Sequence, residues 1–364
     1  MRLRPLHVLM TVDPYIPVPP VLYGGIERMI DMHVRELRRR GHEVTLVAHP
    51  DSRTDAHLIP YGRPPHFGPV IRAQELVQVG RVLWRMRNDV DVVHSFGRLA
   101  AMLPILPLRQ LPKVHSYQRD IPWRSVGHAA RLAGPSIVFT GCSESIYRDR
   151  PRPPASTGEW RTIPNGVDAS RYTPTTTVPA DAPVVFLGRF DPIKGAHHAI
   201  AIARAAGRRL ILAGNKVTSG PDAGYFDAEI APHVDGDRVT YIGTVNDEQK
   251  NTLLGGAAAF LMPIDWEEPF GIVMAEAMAC GTPIVGFRRG SVPDIVREGV
   301  NGYSCRTVEE AAAAVRKIER IDRRAVRADC EARYDWRVIA DTYEALYLEV
   351  MARTQPEKAA RLVA

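Results

Sequence analysis

"PVVFLGRFDPIKGAHHAIAIARAAGRRLILAGN", residues 183–215, reads as strand, loop, helix and strand. Val184–Leu187 is a short apolar run bounded by Pro183 and Gly188, the pattern of a strand buried on both faces. The small apolar residues from Ala196 to Ala206 recur at helical spacing, and Gly207 supplies the stop. "RRLILAGN" then returns as a second strand. A β-loop-α-β unit of this length implies parallel strands joined by a right-handed crossover.

The same unit opens the chain. "LHVLMTV" (6–12) is a strand, "DPYIPVPPVLYGG" a proline-rich loop, "IERMIDMHVRELRRRG" an amphipathic helix closed by Gly41, and "HEVTLVAHP" a second strand. "DVVHSF" and "SIVFTGCS" continue that sheet. After residue 215, "RVTYIGTV", "AAFLMPI" and "PIVGF" are strands separated by helical stretches. The expected fold is α/β, with two Rossmann-like doubly wound halves. The join "TIPNGVDASRYTPTTTVPADAP" has linker composition, so domains are expected at 1–168 and 169–339. "DWRVIADTYEALYLEVM" is a last amphipathic helix. Two such domains would gather the carboxyl ends of both sheets around a central cleft, where open α/β sheets bind ligands.

Composition bounds the class. Hydrophobic residues make up 45% and charged residues 24% of the 364, as in a globular protein. No apolar run reaches the ~18 residues of a membrane span, and the N-terminal stretch reads as a strand rather than a signal peptide. Cys142, Cys280, Cys305 and Cys330 form no CxxC pair and read as buried thiols of a cytoplasmic protein. Residues 1–168 hold 23 Lys+Arg against 15 Asp+Glu, a net +8, while 169–364 carry a net −2. The basic half suits peripheral contact with an anionic acceptor or the inner membrane face. An arginine-rich surface without a partner explains it as well. No nucleic-acid partner is expected.

Three stretches carry polar chemistry. Gly24-Gly25 stand between the first strand and helix, where glycines let a ligand approach the backbone and a helix start offers N–H groups. A plain turn explains them equally, and the spacing is not G-x-G-x-x-G. In "GRFDPIKG", Arg189 and Lys194 flank a turn closed by Gly195. Two cations after a strand suit a diphosphate. The third stretch is "EEPFGIVMAEAMACGTPIVGF", Glu267–Phe287. Glu268 falls on the loop and Glu276 in the first turns of a helix. Phe270, Gly271, Ile272 and Val273 can present backbone N–H groups to an anion, and carboxylates accept hydrogen bonds from hydroxyls. A diol beside a phosphate points to a nucleotide sugar. A capped core helix is the competing account. Glu267 is expected to point to solvent.

These stretches, together with "IPNGVD" (163–168) and "YDWRVIADTYEALY", resemble the retaining glycosyltransferases of family 4, which have the GT-B fold. The resemblance covers nearly the whole chain, and its most specific part is E-x7-E, Glu268 to Glu276. It implies an N-terminal acceptor-side domain, joined by residues 340–364 crossing back, and a C-terminal donor-binding domain. Arg189 and Lys194 would neutralise the donor diphosphate, Glu276 would accept from ribose, and Glu268 would hold hydroxyls of the sugar. The amides of Phe270 to Val273 would bind sugar and phosphate. Gly24-Gly25 would approach the phosphate from the other domain, and Gly243, Thr244 and Val245 would border the base. The family often has a histidine near the donor sugar where this chain has Gln118. His94 in "DVVHSF" occupies another family-like position, and can equally be a satisfied strand-end residue.

The resemblance implies transfer of the donor sugar to a hydroxyl acceptor, a glycan, a lipid-linked group or a small molecule, with no cofactor. No metal is expected. "DVD" (89–91) and "DGD" (235–237) resemble metal-holding acidic pairs but are better explained as turns. A GT-B phosphorylase or epimerase and a catalytically silent sugar-nucleotide binder are the alternatives.

Overall fold

The computed structural model describes residues 4–20, 24–62, 69–148 and 157–363. Val21–Tyr23 of the proline-rich loop, and the Asp149–Arg152 part of the basic stretch at Arg148–Arg152, lie outside the described residues. The chain divides into two compact units, Met1–Asn165 with Trp336–Ala364, and Gly166–Asp335. From sequence the joins are placed at 168/169 and 339/340.

The first unit is built on a seven-stranded sheet. Its strands are β1 (His7–Thr11), β2 (Glu43–Ala48), β3 (His57–Pro60), β4 (Val92–Ser95), β5 (Lys113–Tyr117), β6 (Ile137–Gly141) and β7 (Glu159–Thr162). The order is β3-β2-β1-β4-β5-β6-β7 and every pairing is parallel. The chain winds outward from β1 to β3, then returns to place β4 beside β1. The strand order reverses there, so the loops after β1 and β4 splay apart and leave a crevice at their carboxyl ends.

The closing helix, Trp336–Thr354, belongs to this unit. Trp336, Ile339, Tyr343, Leu346, Tyr347 and Val350 recur at helical spacing and are all buried, a stripe that must be covered by an apolar partner. The partner is the helix Gly25–Arg39 with the ends of β1 and β4: Met29, Ile30, Val34 and Leu37 share one core with Tyr343 and Tyr347. Arg40 fastens the edge through Glu344 (2.6 Å), Asp341 (2.6 Å) and the Arg337 carbonyl (3.0 Å).

The second unit holds a six-stranded parallel sheet. Its strands are β8 (Val184–Leu187), β9 (Leu210–Ala213), β10 (Val239–Tyr241), β11 (Ala259–Met262), β12 (Ile284–Phe287) and β13 (Gly302–Cys305). The order is β10-β9-β8-β11-β12-β13, so the reversal lies between β8 and β11. The helix Ile272–Ala279 is buried from Met274 to Ala279, which explains its small side chains. Arg323 packs beneath it and donates to the carbonyls of Thr175 (2.7 Å), Ala257 (2.7 Å) and Gly255 (2.8 Å). It thereby satisfies carbonyls that have no partner within their own segments, and burial lowers its pKa to about 10.

Candidate active site

The predicted phosphate-binding loop follows β8 and lies against the loop after β11, at the point of reversal. Asp191 is buried. It accepts from Arg189 Nε at 2.5 Å and from the Lys194 backbone N–H at 3.2 Å, so the turn is pinned from inside. Gly195 has φ +74°, and a Cβ there would stand 1.9 Å from the Pro263 carbonyl oxygen. That close approach brings Lys194 to Glu268, with which its ammonium pairs. Trp266 completes the cluster: its Nε1 donates to Glu268 at 3.0 Å, and Lys194 Nζ lies 4.7 Å from its ring centroid. Nothing in the local spacing marks Trp266.

Glu267 is exposed, as expected, but its carboxylate is not idle. It accepts from the Gly290 backbone N–H at 2.8 Å, while the Glu268 carbonyl accepts from Ser291 N at 2.9 Å and the Phe270 carbonyl from Ser291 Oγ at 2.6 Å. The loop after β12 thus clamps residues 267–270. The helix Ile272–Ala279 begins at Gly271 (φ +71°) without a side-chain cap, so neither Glu268 nor Glu276 is an N-cap. Its first amides, with those of Phe270, Gly271, Ile272 and Val273, form an electropositive helix start. Glu276 is 4% exposed. Its Oε1 accepts from Tyr172 Oη at 2.9 Å and Lys250 Nζ at 2.5 Å. Gly243, Thr244 and Val245 follow β10 at the same carboxyl edge, where the Gly243 carbonyl accepts from Gly214 N at 2.8 Å.

In the first unit, a cavity of about 780 Å³ opens at the reversal between β1 and β4. Asp13, Phe96, Arg98, Tyr117, Gln118 and Leu132 are among its lining residues. Gln118 Oε1 accepts from Asn165 Nδ2 at 2.8 Å, which leaves its own amide N–H groups as the donors available to a ligand. The hydroxyl of Tyr117 is buried and has no partner among the described residues. Gly24-Gly25 begin a helix with no side-chain cap; a Cβ on Gly24 would be 2.8 Å from Glu27 Oε2, while one on Gly25 would meet nothing within 4 Å. Burial holds the Glu27 carboxyl above its usual pKa.

His94 is a core residue, not a ligand contact. It is fully buried, with Nδ1 on Tyr347 Oη at 2.5 Å and Nε2 on Ser116 Oγ at 2.7 Å. Phe96 stacks beside it at 4.1 Å. Both ring nitrogens are committed to holding the closing helix against the sheet.

Among the described residues, His197, His198 and Asp265 place three potential metal-ligand atoms within 4.8 Å of one another. Asp265 is shared between His198 Nε2 (2.7 Å) and Arg289 (2.5 Å), a charge clamp beside the Lys194 loop. Asp235 makes a turn by accepting from Asp237 N (3.0 Å) and Val239 N (2.9 Å), and Asp91 accepts from His7 N (2.7 Å).

Residues 177–333 match the family Glycosyl transferases group 1, and residues 23–171 match Glycosyltransferase Family 4. The chain belongs to glycosyltransferase family 4. Glycogen synthase of Mycobacterium tuberculosis is 28% identical over 401 aligned residues, covering 94% of each chain. AviGT4, a glycosyltransferase of avilamycin A biosynthesis, superposes with a TM-score of 0.69 at 25% identity over 96% of this chain and 98% of that one. HepE of Anabaena, in complex with UDP-glucose, shares the fold at a TM-score of 0.67 and 18% identity, over 94% and 99% of the two chains. The two parallel Rossmann-like sheets are those of GT-B, and the family 4 glycosyltransferase is a retaining hexosyltransferase that draws its sugar from a nucleotide sugar.

Proposed function

We propose that the loops after β8, β10 and β11 hold the nucleotide-diphosphate sugar, with Arg189 and Lys194 on the diphosphate and Glu276 on the ribose. The observation that carries this reading is the Lys194–Glu268–Trp266 cluster beside an uncapped helix start at the strand-order reversal. Lys194 is held by Glu268 until a diphosphate offers it a stronger anion. Charge develops on the departing phosphate as the anomeric carbon becomes oxocarbenium-like. Cations fixed there therefore stabilise the transition state more than the ground state. Glu268, released from Lys194, holds hydroxyls of the donor sugar. The acceptor attacks from the face the diphosphate leaves, and a departing phosphate oxygen takes its proton. Glu268 and Glu276 do not act as a hydrolytic acid–base pair, because Glu276 is tied to an ammonium and a phenol.

The cavity in the first unit is the place for the hydroxyl acceptor, with Gln118 as a polar contact. Among the described residues no helix is long and apolar enough to cross a membrane. The helix Pro69–Met86 does expose Val70, Val77 and Trp84 at seven-residue spacing, with Arg81 and Arg85 exposed alongside. That face suits peripheral contact with an anionic lipid surface.

UDP-glucose, bound by HepE, is the first donor to test, within a panel of UDP-, GDP- and ADP-sugars scored by thermal shift. One nucleotide class should raise the melting temperature and release nucleoside diphosphate when acceptor is present. Binding without release under any acceptor would favour a silent binder.

A further inference from the structure

Glu276 is a buried carboxylate with two oxygens in different states. Oε1 is saturated by the phenol of Tyr172 and the ammonium of Lys250, while Oε2 has no partner among the described residues. We propose that Tyr172 and Lys250 are positioning residues that fix Glu276 so that Oε2 faces the ribose hydroxyls of the donor. This inference rests on the assignment of Glu276 to the ribose.

The two donors come from separate segments, each held from behind. Tyr172 lies on the segment that enters the second unit. Its carbonyl accepts from Arg327 at 3.1 Å, and the next residue, Thr173, donates its backbone N–H to Asn251 Oδ1 at 3.0 Å. Lys250 lies on the helix Asp247–Gly255, whose start is closed by a reciprocal capping pair between Asn246 and Gln249. Lys250 Nζ also lies 3.4 Å from Asp247 and 5.8 Å from the Tyr172 ring centroid. A buried carboxylate needs a paired cation to stay ionised, and an ionised oxygen is the stronger acceptor for a hydroxyl. Lys250 supplies the charge and Tyr172 the direction. With Oε1 occupied twice, the carboxylate has one oxygen left to offer, and a vicinal diol is the ligand chemistry that uses it.

The test measures dissociation constants of UDP and ADP, each beside its 2′,3′-dideoxy counterpart, by calorimetry. The proteins are the wild type and the Glu276→Gln, Tyr172→Phe, Lys250→Met and Lys250→Arg variants. The wild type should prefer the ribose form roughly tenfold or more. Glu276→Gln and Lys250→Met should lose that preference, Tyr172→Phe should reduce it, and Lys250→Arg should keep most of it. In turnover the losses should fall on the donor KM more than on kcat. A purely structural role would weaken both nucleotide forms alike. If Glu276→Gln loses the preference while folded Tyr172→Phe and Lys250→Met proteins keep the wild-type ratio, the positioning role is wrong and Glu276 stands. If the wild type shows no preference for the ribose form, the assignment of Glu276 itself falls.

Discussion

A missing Cβ at Gly195 lets the Lys194 turn rest against the Pro263 carbonyl, with 1.9 Å where a methyl would have to fit. Gly195→Ala adds a steric clash to a strained positive φ. It should cost on the order of 2 kcal/mol or more, read as a fall in melting temperature, and activity should drop with the loss of the Lys194–Glu268 contact. Gly290→Ala should act on the same loop from its other side, since its Cβ would stand 2.3 Å from Glu268 N. Donor affinity should fall there even in folded protein, measured by nucleotide titration. At this scale the sequence is partly legible. Arg189, Lys194, Glu268 and Glu276 stand out because each is out of place in an otherwise apolar strand-end or helix. Trp266, Tyr172 and Lys250 do not, because their role comes from partners brought close only by folding; Tyr172 and Glu276 are 104 positions apart. The sequence leaves the role of His94 open for the same reason: the hydroxyl that occupies its ring lies 253 residues downstream.

The closing helix is held by a buried polar chain as well as by apolar packing. Tyr347 Oη meets His33 Nε2 at 2.7 Å and His94 Nδ1 at 2.5 Å, and His94 passes the chain to Ser116 and Thr140. Tyr347→Phe keeps the ring and strands two imidazole nitrogens, so it should destabilise by about 1–3 kcal/mol in chemical denaturation. Burial lowers the His33 pKa to about 3 and that of His94 well below its ordinary 6.5. The unfolded chain therefore binds protons that the folded one refuses. The stabilisation is complete above pH 6.5 and is lost as pH falls toward 3. Calorimetry should show the melting temperature falling through that window, and less steeply in His33→Gln. The helix itself is legible from its broad apolar face. Its polar chain is not, because lone histidines and tyrosines have no periodicity.

Across the whole molecule, the two doubly wound halves follow from repeated β-loop-α-β units, since apolar runs of four or five residues separated by helical spacing leave few alternatives to parallel sheets. What the pattern does not fix is strand order, which decides where the loops splay and hence where Lys194 and Gln118 stand. The first unit is assembled from both ends of the chain. A chain ending at Asp335 would leave Met29, Ile30, Val34 and Leu37 without the aromatic face that covers them, and should be recovered unfolded or aggregated in circular dichroism and gel filtration. The basic charge of the first unit should make vesicle binding depend on anionic lipid and weaken with salt, and Trp84→Ser should reduce it in co-sedimentation.

The most direct test of the account is donor turnover by Lys194→Ala at saturating acceptor, with nucleoside diphosphate release as the readout and the melting temperature as the check on folding. A cation acting on the departing diphosphate predicts a loss of kcat/KM of roughly 10²–10³ in a protein that melts like the wild type. Turnover within about threefold of wild type, in a folded variant, would show that Lys194 does not carry the leaving group and that the donor site lies elsewhere.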